Sequence, residues 1–156
     1  MSFLHFFDES NVILELNNTT KNEALREMIE HLASIKKIPK KKVEVFYNAV
    51  IERESQGATG IGKGVALPHA KHKDLKKISV VLARSTKGID FEAADHQPVT
   101  ILFLVLAPET NPEEYIKFLR WILHLAKQND FRSFMLQAKT IKEVLELLEE
   151  FSPPEG

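Results

Sequence analysis

Apolar residues recur along this chain with two different periods, and the switching between them predicts interleaved helices and strands. Val12–Leu16 is a short β-leaning stretch. Leu25, Met28, Ile29 and Leu32 form one helical stripe, and Thr20-Lys21-Asn22-Glu23 ahead of it reads as a capping box. Pro39 and the lysines after it open a second predicted helix, with Val43, Phe46, Tyr47 and Val50 inward and a stop before Gly57. Val65-Ala66-Leu67, Ile78–Ala83 and Val99–Ala107 read as strands. The last is apolar on both faces, which predicts the centre of a covered sheet. Asp95-His96-Gln97-Pro98, just before it, is turn chemistry. Asn111 is the expected cap of a third long helix, with Pro112 at its first position and Glu113 and Glu114 in its first turn. Tyr115, Leu119, Ile122 and Ala126 make its inward stripe. Asn129-Asp130 starts a shorter helix, and the capping box Thr140-Ile141-Lys142-Glu143 opens a final one ending near Phe151. The expectation is an α/β fold, a single domain over 1–151 with a mixed sheet flanked by helices on both faces, and a frayed tail at 152–156.

Composition narrows the class. The chain has 156 residues, 44% hydrophobic and 28% charged, which suits one soluble core. Its formal net charge of −1 gives no reason to expect nucleic acid or an anionic membrane as the main partner. There is no cysteine, hence neither a disulfide framework nor a thiolate metal site. The apolar start Phe3-Leu4-His5-Phe6-Phe7 is too short for a signal peptide and lacks a basic region before it. The run Ile101–Ala107 is too short to cross a bilayer. A cytoplasmic location is expected.

The candidate chemistry is concentrated in IERESQGATGIGKGVALPHAK, residues 51–71. Gly57-Ala58-Thr59-Gly60-Ile61-Gly62-Lys63-Gly64 nearly matches a phosphate-binding P-loop, but Gly64 stands where Ser or Thr should ligate magnesium. The context also differs, because a P-loop follows a strand and opens a helix. Here a helix precedes, and Val65-Ala66-Leu67-Pro68 cannot open one. Two readings remain: a glycine turn joining helix to strand, or one whose N–H groups point at an anion, with Thr59, Gly60, Gly62 and Gly64 as the phosphate-binding loop. His69 is the leading candidate nucleophile. Pro68 fixes its own φ and biases Leu67 to extended geometry, which aims the following side chain. Neutral imidazole is a good nucleophile near neutral pH. Arg53 offers a fork of N–H donors suited to phosphate; its structural alternative is a surface residue paired with Glu52 or Glu54.

The other histidines carry less. His69 and His72 could form a metal pair, but no third ligand lies at a recognisable spacing, so no metal or other cofactor is expected. His72 lies among Lys71, Lys73, Lys76 and Lys77, which read as a solvated basic loop able to attract an acidic phosphorylated partner. His5, His31 and His96 have no supporting pattern. His124 lies roughly 180° around the third helix from Tyr115 and faces away. Trp121 is a packing or rim residue.

Arg53, Thr59-Gly60-Ile61-Gly62, Leu67-Pro68-His69, the stretch from Phe91 through Asp95-His96-Gln97-Pro98-Val99, and the closing helix with Val144-Leu145-Glu146-Leu147-Leu148 resemble one family across almost the whole chain. It is the enzyme IIA domain of the fructose/mannitol type (type 2) in the bacterial phosphoenolpyruvate-dependent phosphotransferase system (PTS), especially its nitrogen-regulatory members. The resemblance implies a five-stranded mixed sheet. It also implies that His69 is phosphorylated by the histidine phosphocarrier HPr or a relative while Arg53 steadies the phosphate. The next partner would be a IIB domain in a sugar-transporting branch, or regulatory target proteins in a nitrogen branch. Two positions depart from the pattern. Tyr115 stands where the family usually has a second histidine, and Ala70 where glycine often follows the active one. Tyrosine can hydrogen-bond a phosphate but carries no positive charge, so Tyr115 is a candidate helper. The expectation is a regulatory phosphocarrier with no IIB- or IIC-like segment in the chain. The alternatives are a sugar-transport IIA component and a IIA-like binding module that turns over no phosphate.

Overall fold

A computed structural model describes residues 3–35 and 38–153. The final residues of the expected tail, 154–156, lie outside the described residues. Five helices flank one sheet: α1 (Lys21–Ser34), α2 (Val43–Ser55), α3 (Pro112–Ala126), α4 (Asn129–Gln137) and α5 (Ile141–Phe151). The strands are β1 (Val12–Ile13), β2 (Gly60–Gly62), β3 (Val65–Ala66), β4 (His69–His72), β5 (Ser79–Ile89) and β6 (Val99–Pro108). The sheet runs β1-β5-β6-β3-β2, with β4 also on β6, so six strands occupy five lanes. β5 and β6 are antiparallel; β1 on β5, and β3 and β4 on β6, are parallel. The mixed sheet expected from the sequence is present.

Alternation along β5 and β6 sorts the core into two sides. Val80, Leu82, Ile101, Phe103, Val105 and Ala107 face α3, α4 and α5. Val81, Ala83, Leu102, Leu104 and Leu106 face α1 and α2. Both faces of β6 are covered, which explains its unbroken apolar run.

Several local expectations shift. The first strand is only Val12–Ile13, although the Leu16 N–H still donates to the Arg84 carbonyl (2.8 Å). Thr20 is the N-cap of α1, but its hydroxyl donates to Glu23 Oε1 (3.0 Å) instead of capping the backbone. Pro39 leads into one turn of 3-10 helix before α2 begins. Asn111 caps α3 in a left-handed conformation (φ 53°) with no side-chain cap bond. The Thr140–Glu143 box forms, with Thr140 Oγ1 accepting from the Glu143 N–H at 3.1 Å.

β5 also runs well past Ala83, through Arg84 and Ser85, both buried. Arg84 donates from Nη1 to the carbonyls of Met135 (2.8 Å) and Ala138 (2.6 Å), at the C-terminal end of α4. Its Nε reaches Glu15 at 3.3 Å. A cation here satisfies carbonyls that the helix end leaves open and complements its dipole. Arg84→Met keeps the apolar stem but strands those carbonyls. It should lower stability by about 1–3 kcal/mol, read as a lower urea midpoint with an unchanged slope. An unchanged midpoint would remove Arg84 from the fold's support.

Candidate functional site

β3 and β4 form one lane beside β6, interrupted by a proline. Val65 pairs with Ile101 and Ala66 with Leu102; after the break His69 pairs with Val105 and Ala70 with Leu106, in unchanged register. Pro68 has no N–H for this ladder, but its carbonyl accepts from the Val105 N–H at 3.0 Å. Leu67 turns its polar groups the other way. Its N–H donates to the Thr59 carbonyl (3.0 Å), and its carbonyl lies 2.7 Å from Nδ1 of His69. A carbonyl can only accept, so Nδ1 carries the proton and Nε2 keeps its lone pair.

Strand alternation then divides the neighbours. Ala66 and Ala70 pack on the α1–α2 side, whereas Val65 and Leu67 pack towards α3. His69 falls with the second set; its ring lies 6.2 Å from that of Tyr115 on α3. The two rings share a cleft of about 480 Å³ that crosses the sheet edge to α2, where Glu52, Arg53 and Gln56 line it; Lys71, His72 and Glu109 complete its polar wall. Sequence reasoning thus brings together three of its candidates, His69, Arg53 and Tyr115.

Arg53 and Glu54 divide the work at the end of α2. Glu54 is buried and ion-paired with Lys21 (2.7 Å); it also accepts from the Thr59 N–H (3.2 Å) and the Thr59 hydroxyl. Arg53 instead donates from Nη1 to the Gly57 carbonyl at 2.9 Å. Glu54 takes Lys21 as its cation, and Arg53, which lines the cleft, forms no ion pair among the described residues.

Burial holds the His69 pKa below its ordinary 6.5; the Leu67 hydrogen bond opposes this, Arg53 adds to the lowering, and Glu54 again opposes it. The ring is therefore neutral at pH 7. Burial pushes the Tyr115 hydroxyl up to about 12, with Arg53 pulling the other way, so it stays a protonated donor.

The glycine loop differs from expectation. None of Thr59, Gly60, Gly62 or Gly64 lines the cleft. The loop folds into the hairpin β2–β3, whose turn residues Lys63 (φ 59°) and Gly64 (φ 82°) are both left-handed. A Cβ at Gly60 would stand 2.9 Å from that of Ala93. Close packing and turn geometry account for Gly60 and Gly64, and the loop meets the site through the Gly57 carbonyl, which accepts from Arg53, and through Thr59 and Leu67.

Of the remaining candidates, His72 lies on the other face of β4, with its ring against Phe46 and its Nδ1 accepting from the Asp74 N–H (3.0 Å). His31 reaches the Ser10 carbonyl from α1. Trp121 is buried in the α3 core. Sequence reasoning missed Lys71, Gln56 and Glu109 as lining residues. For Lys71 a signal existed: it stands two residues after His69, hence on the same face of an extended strand. Glu109 had none, since only the sheet's crossover brings the end of β6 beside α2.

The chain matches the family described as "Phosphoenolpyruvate-dependent sugar phosphotransferase system, EIIA 2" over residues 5–151, and it belongs to that family. It is 31% identical over 137 residues to a nitrogen regulatory protein of Bradyrhizobium diazoefficiens, covering 88% of each chain. It is 36% identical over 103 residues to the fructose-specific EIIA component of Haloferax volcanii, covering 66% of this chain and 67% of that one. The nitrogen regulatory protein IIA-Ntr of Neisseria meningitidis superposes with a TM-score of 0.84 at 25% identity, covering 93% and 97%. The mannitol IIA of Escherichia coli, solved in complex with phosphorylated mannitol IIB, shares this fold (TM-score 0.77, 22% identity, 92% and 97% covered).

A neutral His69 that resists protonation should titrate by NMR with a midpoint below 6.5. Arg53→Ala removes a nearby positive charge and should move that midpoint up; a downward move would contradict the placement of Arg53. The sign for stability follows. With the folded-state pKa depressed, the unfolded chain takes the proton first, so the contribution of His69 is complete above pH 6.5 and is lost as pH falls through the folded-state value.

Proposed function

We propose that this chain is a cytoplasmic phosphocarrier of the nitrogen-regulatory type, phosphorylated on Nε2 of His69 by an HPr-like protein. The observation that carries the reading is the Nδ1–Leu67 bond of 2.7 Å, which leaves a lone pair on Nε2 in a cleft that Arg53, free of ion pairs among the described residues, also lines. In the step, Nε2 attacks the phosphorus of a donor phosphohistidine in line. The donor's N–P bond breaks and its electron pair returns to the donor ring as the new N–P bond forms. The His69 ring then carries the positive charge, shared through Nδ1–H with the Leu67 carbonyl. Kept in that form, it departs as neutral imidazole when the phosphoryl group moves on. Arg53 holds the equatorial oxygens with charge-assisted hydrogen bonds. The Tyr115 hydroxyl is one further donor.

The regulatory role draws support from the nitrogen regulatory relative, which matches this chain over 88% of both lengths. Its targets would be proteins whose binding depends on the state of His69. The fructose-specific relative favours a second reading, in which the phosphoryl group passes to a IIB domain.

Incubation with labelled phosphoenolpyruvate, enzyme I and HPr should place acid-labile phosphate on the wild type and none on His69→Ala. Arg53→Ala should label about 100-fold more slowly with an unchanged circular-dichroism melt. A folded wild type that takes no label from any phosphocarrier supplied would end the phosphocarrier reading and leave a binding module. Rapid loss of the label to a fructose-type IIB domain would move the protein to the sugar branch.

A further inference from the structure

Where the family usually places a second histidine, this chain has Tyr115, and with it the cleft loses a cation facing His69. The structure holds another nearby. Lys71 follows His69 by two residues on β4, so both side chains leave the strand on the α3 side. Both lie against one ring: the His69 ring is 6.2 Å from that of Tyr115, and Lys71 Nζ is 5.9 Å from the same ring's centre. That distance is within cation–π range. Among the described residues Lys71 forms no ion pair, whereas Lys42 at the start of α2 is bound to Asp74 at 2.9 Å.

An aromatic face attracts an ammonium without neutralising it. Tyr115 can thus hold Lys71 over the cleft and leave its N–H donors for an incoming anion, which a carboxylate partner would not. A second histidine and this pair solve the same problem differently: the first puts the charge on α3, the second keeps it on the nucleophile's own strand.

We propose that Lys71 is a catalytic residue of the transfer to His69, its ammonium resting on Tyr115 and binding an equatorial oxygen of the phosphoryl group opposite Arg53. This rests on the phosphocarrier reading above. The bond changes are those already given: the donor N–P bond breaks, the His69 N–P bond forms, and the electron pair returns to the donor ring. Lys71 stays protonated throughout and passes no proton.

Single-turnover transfer from phosphorylated HPr, measured at rising donor concentration, tests this. Lys71 is exposed, so Lys71→Gln should fold normally, and it should slow transfer at saturating donor by about 10- to 100-fold. Lys71→Arg should recover most of that loss. Tyr115→Phe, which keeps the ring and loses only the hydroxyl donor, should be slowed far less than Tyr115→Leu. Tyr115→Leu should be slow, and adding Lys71→Gln to it should cause little further loss. Wild-type speed in Lys71→Gln would overturn the assignment. So would a loss that disappears at saturating donor, since that describes a docking residue, or a Tyr115→Phe variant as slow as Tyr115→Leu. If the wild type itself takes no phosphate, the phosphocarrier reading fails; if it does and Lys71→Gln keeps pace, only the role of Lys71 fails.

Discussion

The site depends on the polar groups of Leu67 being turned away from the sheet. In a parallel lane, successive residues present their N–H and C=O alternately inward and outward. Pro68 directs its carbonyl to Val105, so Leu67 directs both of its groups to the open side. There the hairpin covers the N–H through Thr59, and His69 covers the carbonyl through Nδ1. A buried carbonyl thereby selects the tautomer of the nucleophile. The proline does this without disturbing the register, which is the same on both sides of it.

A second constraint is the division of labour between two adjacent side chains. Arg53 and Glu54, neighbours on a helix, point about 100° apart around its axis. Glu54 enters the interior, and its charge is sustained there by Lys21 from α1 and by Thr59. Burying one carboxylate with its own cation is what leaves the next residue free. Had Arg53 been the partner of Glu54, the cleft would hold a neutral pair and little affinity for a dianion. The same network ties the start of α1, the end of α2 and the glycine loop together, which fixes the Thr59 carbonyl that Leu67 needs.

The cleft lies where the sheet ends, and this decides its chemistry. Among the described residues β4 has β6 on one side and no strand on the other, so side chains from α2 and α3 meet around its open edge. His69 is half-buried there, dry enough to stay neutral while still lining the open cleft. Tyr115 contributes a largely apolar wall and a hydroxyl that does not ionise near neutral pH. The α3 face of the cleft therefore offers an aromatic ring, and cationic character comes from Arg53 on α2 and Lys71 on β4.

Much of this was legible in the chain itself. The 3.6-residue stripes located the long helices, the doubly apolar run of β6 announced the sheet's centre, and Pro68-His69 after a strand marked a histidine that lines the cleft, because each is set by local geometry and a one-dimensional pattern of burial. The polar half of β5 escaped notice: Arg84 and Ser85 look like surface residues until the carbonyl end of α4 is seen above them. The glycines were read as an anion cradle because the same φ freedom serves a phosphate or a hairpin, and only the packing of Ala93 against Gly60 distinguishes the two. Periodicity also placed Lys71 in a basic loop, since nothing local shows that β4 runs on to His72. The sequence by itself determined which residues could react and which stretches would be buried. The tertiary structure decided which charges are neutralised and which remain free, because ion pairs such as Lys21–Glu54 join residues far apart in the chain and no local pattern encodes them.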